Sequence, residues 1–154
     1  MDQVLIDTNV LVYSCDRHSF DKQQQALALM ASLQEHGSGC IGVQSLAEFF
    51  SATTRGRDPV LSVASACARQ TELARMWRVF DLTPAIALEA AAGVRDHRLN
   101  YWDAQIWATA RLNQVPLVLS EDFQDGQWLE GVRFVNPFSA KFDLQAWTRS
   151  HGAS

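Results

Sequence analysis

The stretch that most constrains this chain is Val4-Leu5-Ile6-Asp7-Thr8-Asn9, close to its start. Three consecutive apolar residues, two of them β-branched, read as a short strand buried on both faces. An aspartate follows at once, then Thr8 and Asn9, types that favour turns and helix N-caps. The chain therefore leaves a buried strand and enters a helix with a carboxylate at the junction. In an open parallel sheet, ligands bind at the carboxyl ends of the strands. Asp7 taken alone has two accounts, a local cap or Asx-turn and a functional carboxylate. Acidic company elsewhere in the chain decides between them.

The rest of the sequence repeats the alternation of strand and helix. A helix is predicted from about Phe20 to Glu35, with Ala26, Leu29, Met30 and Leu33 as its buried stripe, stopped by Gly37-Ser38-Gly39. Cys40 to Val43 reads as a second strand, and Ser45-Leu46-Ala47-Glu48 opens a third helix that carries Phe49 and Phe50. After a polar loop from Thr53 to Pro59, a helix from about Ser62 to Trp77 places Leu73, Met76 and Trp77 at i, i+3 and i+4. Val79 to Leu82 is a third strand, and Thr83-Pro84 then supplies an N-cap and a first-turn proline for an alanine-rich helix ending near His97. Tyr101-Trp102-Asp103 opens another helix, Leu117 to Leu119 is a strand left by the turn Ser120 to Phe123, and Val132 to Val135 is a strand stopped by Asn136-Pro137. This order predicts an α/β protein, a three-layer α/β/α sandwich around a central parallel sheet of about four or five strands. Residues 1–140 form its single domain and 141–154 an extension, with Ser150 to Ser154 frayed.

Composition narrows the function. With 154 residues, 47% of them hydrophobic and 19% charged, the chain fits one ordinary soluble domain. No apolar run reaches the length of a membrane span and no signal-like segment opens the sequence, so a cytoplasmic protein is expected. Cys15, Cys40 and Cys67 are far apart and odd in number, which suggests buried free thiols in a reducing compartment. A formal charge of -4 argues against broad electrostatic attraction to nucleic acid. It leaves room for a site that meets phosphates through bound cations.

Four acids stand where loops or strands hand over to helices: Asp7, Glu48, Asp103 and Asp122. Each has a local account. Glu48 follows Ser45 at capping-box spacing, and Asp103 and Asp122 fall in expected first helical turns, where negative charge suits the macrodipole. Asp103 resists that account, because Asp103, Ile106, Trp107 and Ala110 share one helical face at i, i+3, i+4 and i+7. A carboxylate turned toward a core is costly without a cation. The only lysines are Lys22 and Lys141, and Arg98 is the basic residue nearest Asp103 in sequence. Several acids with few organic cations point to a divalent metal, and oxygen ligands suit Mg²⁺ or Mn²⁺.

The motifs Leu-Ile-Asp-Thr-Asn-Val (residues 5–10), Gln-Ser-Leu-Ala-Glu-Phe-Phe (44–50), Tyr-Trp-Asp-Ala-Gln-Ile-Trp-Ala-Thr-Ala (101–110) and Val-Leu-Ser-Glu-Asp-Phe-Gln-Asp-Gly (118–126) resemble the PIN domain. The likeness is greatest to the VapC-type toxin ribonucleases of bacterial toxin–antitoxin pairs. The resemblance implies a parallel-sheet fold and a Mg²⁺- or Mn²⁺-dependent ribonuclease with catalytic and metal-binding Asp7, Glu48, Asp103 and Asp122. It further implies metal-assisted hydrolysis of RNA phosphodiesters, with Thr8, Asn9 and Ser120 in support. Ser120 stands where the family often has threonine. The doubled acid Glu121-Asp122, with Asp125 close by, departs from the pattern and leaves three candidates for the fourth acid. Asn9 is read as a helix cap first and a ligand to carboxylate or phosphate second. A homodimer and a small antitoxin partner, seated on the apolar helices between Gln44 and Trp77, are implied too.

Two other readings fail on the residues present. A haloacid-dehalogenase-type phosphotransferase needs a second aspartate where Asn9 stands, and it and a receiver domain both need a lysine, of which there is none between Lys22 and Lys141. An inactive PIN-like interaction module and a housekeeping nuclease without an antitoxin are the remaining alternatives. Arg55 and Arg57 lie in a loop that can meet an RNA backbone or simply be solvated. The histidines His18, His36, His97 and His151 show no ligand spacing, and the tryptophans read as core or interface residues.

Overall fold

The three-residue strand β1 (Val4–Ile6) lies inside a six-stranded sheet and divides the molecule in two. In the computed structural model, which describes residues 2–152, the sheet order is β3-β2-β1-β4-β6-β5, with β2 Gly39–Gly42, β3 Arg78–Phe80, β4 Leu117–Leu119, β5 Trp128–Leu129 and β6 Val132–Val135. Val4 pairs with Gly39 on one side and Leu117 on the other, and every pairing is parallel except that of β5 with β6.

Alternation along β1 builds the layers. Val4 and Ile6 point into one core with residues of α1 (Thr8–Tyr13), α2 (Phe20–His36), α3 (Val43–Thr54) and α4 (Val63–Met76). Leu5 points into the other, against α5 (Pro84–His97) and α6 (Tyr101–Leu112). Successive strand side chains face opposite ways, so three apolar residues in a row require cover on both faces. The expected three-layer α/β sandwich is the fold found.

Several boundaries follow local chemistry. The buried stripe of α2 is the expected Ala26, Leu29, Met30 and Leu33, and Gly37 ends the helix in the left-handed region, at φ 64°. Thr83 caps α5 through its side chain, which accepts from the Ile86 amide, ahead of Pro84.

Other expectations need correction. The sheet has six strands because the two-residue β5 exists only by pairing back on β6 through a turn at Glu130 and Gly131. Helix α3 starts at Val43 with Gly42 as N-cap, so Ser45 is inside the helix and forms no capping box with Glu48. No helix follows β4 at Asp122, which removes its macrodipole account. Met76 faces outward while Leu73 and Trp77 are buried. Of the cysteines only Cys40 is buried, Cys15 being partly covered and Cys67 exposed. Of the tryptophans expected at the core or an interface, Trp77, Trp107 and Trp147 are buried and Trp102 and Trp128 are exposed.

Ser150 to Gly152 belong to a further helix, α7 (Leu144–Gly152), whose Trp147 joins the core; Ala153 and Ser154, the rest of the stretch expected to fray, lie outside the described residues. Among the described residues no helix is long and apolar enough to cross a membrane.

Helices α5 and α6 approach closely because Gly93 lies against the indole of Trp107. A Cβ added at Gly93 would fall 2.7 Å from Trp107 Cζ3 and 2.9 Å from Cε3. The ring cannot yield easily, being fully buried with its Nε1–H donated to the Leu129 carbonyl at 3.1 Å. Gly93→Ala gains helix propensity of about 1 kcal/mol but overpacks this contact, which costs about 1–3 kcal/mol. The expected outcome in urea unfolding is a net loss of about 1 kcal/mol; a stabilised variant would show the contact to be loose.

Candidate active site

Asp7 leaves β1 buried, with 3% of its surface exposed, and both carboxylate oxygens are engaged. Oδ1 accepts the Thr8 amide at 2.7 Å, making Asp7 the N-cap of α1, and Oδ2 accepts the Ser120 hydroxyl at 2.7 Å. The capping account of Asp7 is therefore correct, and it is incomplete. Burial pushes the Asp7 carboxyl up to about 7; the hydrogen bonds from Ser120 and Thr8 oppose that rise, and the charges of Asp122 and Glu48 add to it.

Glu48, on α3, is turned toward the same place. Its Oε2 accepts from the Thr8 hydroxyl at 2.9 Å and its Oε1 from Gln44 Nε2 at 2.7 Å. Gln44 Nε2 also donates to the Trp102 carbonyl at 3.0 Å, and its Oε1 accepts from Gln105 Nε2 at 2.8 Å. This chain of buried amides ties α6 to α3 and aims Glu48. Neither glutamine stood out in the sequence; the available signal was a second polar residue one helical turn before Glu48 and another two residues after Asp103.

Asp103, half-buried near the start of α6, is oriented by the N-cap Asn100. Asn100 Oδ1 accepts the Asp103 amide at 3.0 Å, and Asn100 Nδ2 donates to Asp103 Oδ2 at 2.6 Å. Burial raises the Asp103 carboxyl above its ordinary value, the Asp122 charge adds to this, Asn100 opposes it, and Glu48 adds a little more. Asp7 and Asp103 thus each feel the charges of Asp122 and Glu48 at one end of the sheet.

Three neighbouring acids competed for the fourth position. Asp122 is exposed, accepts from Asn9 Nδ2 at 3.1 Å, and sends its amide to Ser120 Oγ at 3.1 Å. Glu121 is held by Tyr13 and Lys22, and Asp125 accepts the Asn136 amide. Only Asp122 of the three shares the field of Asp7 and Asp103. Asn9 is not the cap of α1, since Asp7 is; its side chain instead bridges Asp122 and Ser120, the latter at 3.2 Å. Ser120 Oγ is saturated, giving one hydrogen bond and accepting two.

Beside these acids opens a cavity of about 460 Å³ whose walls include Thr8, Asn9, Tyr13, Glu48, Asp122 and Arg55. Arg55 is the only cationic residue on those walls among the described residues, whereas Arg57 stands apart on the exposed loop. None of Asp7, Glu48, Asp103 and Asp122 has an ion-pair partner among the described residues; Lys22 reaches the rim but pairs with Glu121. In the present side-chain arrangement no three His, Cys, Asp or Glu groups among the described residues are close enough to share an ion. The carboxylates are turned onto hydrogen-bond donors instead. Their chemistry, all oxygen and unneutralised, fits a hard divalent cation.

The PIN domain family matches residues 4–124. The chain belongs to the PIN domain family. Its members are generally nucleases, hydrolases acting on nucleic acid, and generally use divalent metal ions. The fold is similar to that of a toxin–antitoxin complex from Klebsiella pneumoniae at 19% identity and TM-score 0.64, covering 88% of this chain and 98% of that one. FitAcB from Neisseria gonorrhoeae is similar at 18% identity and TM-score 0.63, with 88% and 99% covered. A DNA-bound VapBC from Salmonella typhimurium is similar at 16% identity and TM-score 0.60, with 87% and 97% covered. At these identities the likeness is one of fold. No curated protein matches the PIN-domain chain significantly in sequence.

The raised Asp7 pKa links stability to pH. The native value lies above the ordinary 3.8, so ionising Asp7 costs native stability. The cost is absent below about pH 4, develops as pH rises toward 7 and is complete above it. In EDTA, Asp7 should therefore make the protein less stable at pH 8 than at pH 5. Asp122→Asn, at an exposed position, should lower the Asp7 midpoint in a carboxyl ¹³C titration, because a neighbouring negative charge is removed. An unmoved midpoint would mean that the two carboxylates do not face each other.

Proposed function

We propose that this PIN-domain chain is a Mg²⁺- or Mn²⁺-dependent endoribonuclease that acts in the cytoplasm as the toxin of a toxin–antitoxin pair. The observation that carries the reading is the group Asp7, Glu48, Asp103 and Asp122, in which Asp122 and Glu48 act on both Asp7 and Asp103 and no member has a cationic partner among the described residues. The missing lysine partner also argues against phosphotransfer, since Lys22 is committed to Glu121. In this reading Asp7 and Asp103 are the firm metal ligands, and Glu48 and Asp122 complete the shell directly or through waters. A bound divalent ion supplies activation of a water and charge stabilisation at the phosphate. Ser120 and Thr8 orient Asp7 and Glu48, Asn9 steadies Asp122, and Arg55 receives a neighbouring phosphate from the cavity wall. Arg57 meets the RNA backbone further out.

The purified protein should cut single-stranded or looped RNA with Mn²⁺ or Mg²⁺ and stop in EDTA. Asp7→Asn and Asp103→Asn should each lower the rate by about a hundredfold or more while circular dichroism shows the fold intact. Saturating Mn²⁺ should raise the wild-type melting temperature, by mass action on the native state, and that of Asp103→Asn much less. Cutting that survives EDTA or both substitutions would overturn the metal-nuclease reading.

The partner is a small antitoxin protein, and the chain itself a homodimer. The support is the fold shared with proteins solved in toxin–antitoxin complexes, together with exposed Val63 and Met76 on α4. Expression alone should arrest bacterial growth, and co-expression of a small adjacent open reading frame should relieve it. Normal growth with soluble wild-type protein would favour a housekeeping nuclease or an inactive module.

A further inference from the structure

The acid next to Asp122 is bound in a closed triangle. Glu121 Oε1 accepts from the Tyr13 hydroxyl at 2.8 Å and Oε2 from Lys22 Nζ at 2.8 Å, while Lys22 Nζ also donates to the Tyr13 oxygen at 3.1 Å. Lys22 Nζ lies 4.5 Å from the centre of the Tyr13 ring and 5.5 Å from that of Phe138. Tyr13 ends α1, Lys22 sits in the first turn of α2 and Glu121 follows β4, so the triangle ties three segments together. The Lys22 and Glu121 side chains keep 40% and 23% of their exposure. An ion pair that open contributes little to stability, so fold maintenance does not account for it.

Its consequence is directional. Glu121 and Asp122 line the same cavity, and an unrestrained Glu121 would offer a further carboxylate beside Asp122 and Glu48 there. With Glu121 held against Tyr13 and Lys22, its neighbour Asp122 is the one that meets Asn9 and perturbs Asp7 and Asp103. We propose that Lys22 is a positioning residue: by restraining Glu121 it keeps that carboxylate out of the acidic group and fixes Asp122 as its fourth member. The effect on the metal rests on the nuclease reading above; the restraint itself does not.

The test uses the full chain as Lys22→Met, Lys22→Arg, Glu121→Gln and the Lys22→Met/Glu121→Gln double variant. Lys22→Met keeps the aliphatic stem and removes the charge. Exchange of the Asp122 amide, followed by NMR, should quicken about tenfold in Lys22→Met as local opening becomes easier, and return to the wild-type rate in Lys22→Arg. Mn²⁺ titration should show Lys22→Met binding about threefold tighter or more, because a cation is lost and a carboxylate released, yet cutting RNA more slowly at saturating Mn²⁺. A merely structural defect would weaken both. Adding Glu121→Gln to Lys22→Met should remove the released carboxylate and with it most of the gain in Mn²⁺ affinity. An Asp122 amide indifferent to Lys22 overturns the proposal, as does a double variant that still binds Mn²⁺ like Lys22→Met. Exchange that responds to Lys22 while no variant, wild type included, binds Mn²⁺ supports the restraint and removes the metal-nuclease reading.

Discussion

Burying the carboxylate of Asp7 at the end of an interior strand is the constraint on which the rest depends. A charge in that position is expensive unless donors or cations answer it. Here the answer is partial: the Thr8 amide and the Ser120 hydroxyl satisfy its oxygens, and no cation among the described residues neutralises it. The carboxyl is left poised near neutrality, with Asp122 and Glu48 close enough to add to the cost. A fold that merely needed a helix cap could use serine or asparagine there, without the penalty.

The sheet makes this arrangement possible. Because β1 lies between β2 and β4, the residues following all three emerge at the same end of the sheet. Asp7 follows β1, Ser120 to Asp122 follow β4, and α3 with Glu48 follows β2 directly through Gly42. Asp103 comes from α6, whose first turn is joined to α3 by the Gln105–Gln44–Trp102 contacts. Parallel strands with right-handed crossovers concentrate such junctions at one edge. Polar groups then do the fine aiming, since each of the four carboxylates is held by an amide or a hydroxyl.

That division explains where the sequence was legible. Helices α2 and α5 were readable because their caps and stops, Gly37 and Thr83-Pro84, act through neighbours a few residues away. The start of α3 was misplaced because Ser45 and Glu48 have capping-box spacing, while in the folded chain Gly42 begins the helix and Glu48 is claimed by Thr8, forty positions distant in sequence. Strand β5 was invisible for a similar reason: two residues form a strand only when β6 lies beside them.

The sequence by itself determined the alternation of strands and helices, the layered fold and the family, since hydrophobic period and local turn chemistry act over one or two helical turns. It also nominated Asp7, Glu48, Asp103 and Asp122, because acids at strand and helix boundaries are conspicuous. Tertiary structure alone decided which of Glu121, Asp122 and Asp125 faces Asp7. Three adjacent acids are equivalent in a string of letters, and they become distinct once Lys22, Tyr13 and Asn136 have claimed two of them. Hydrogen bonds reach only about 3 Å, so the choice rests on groups about ten to a hundred positions away in sequence, brought close by packing.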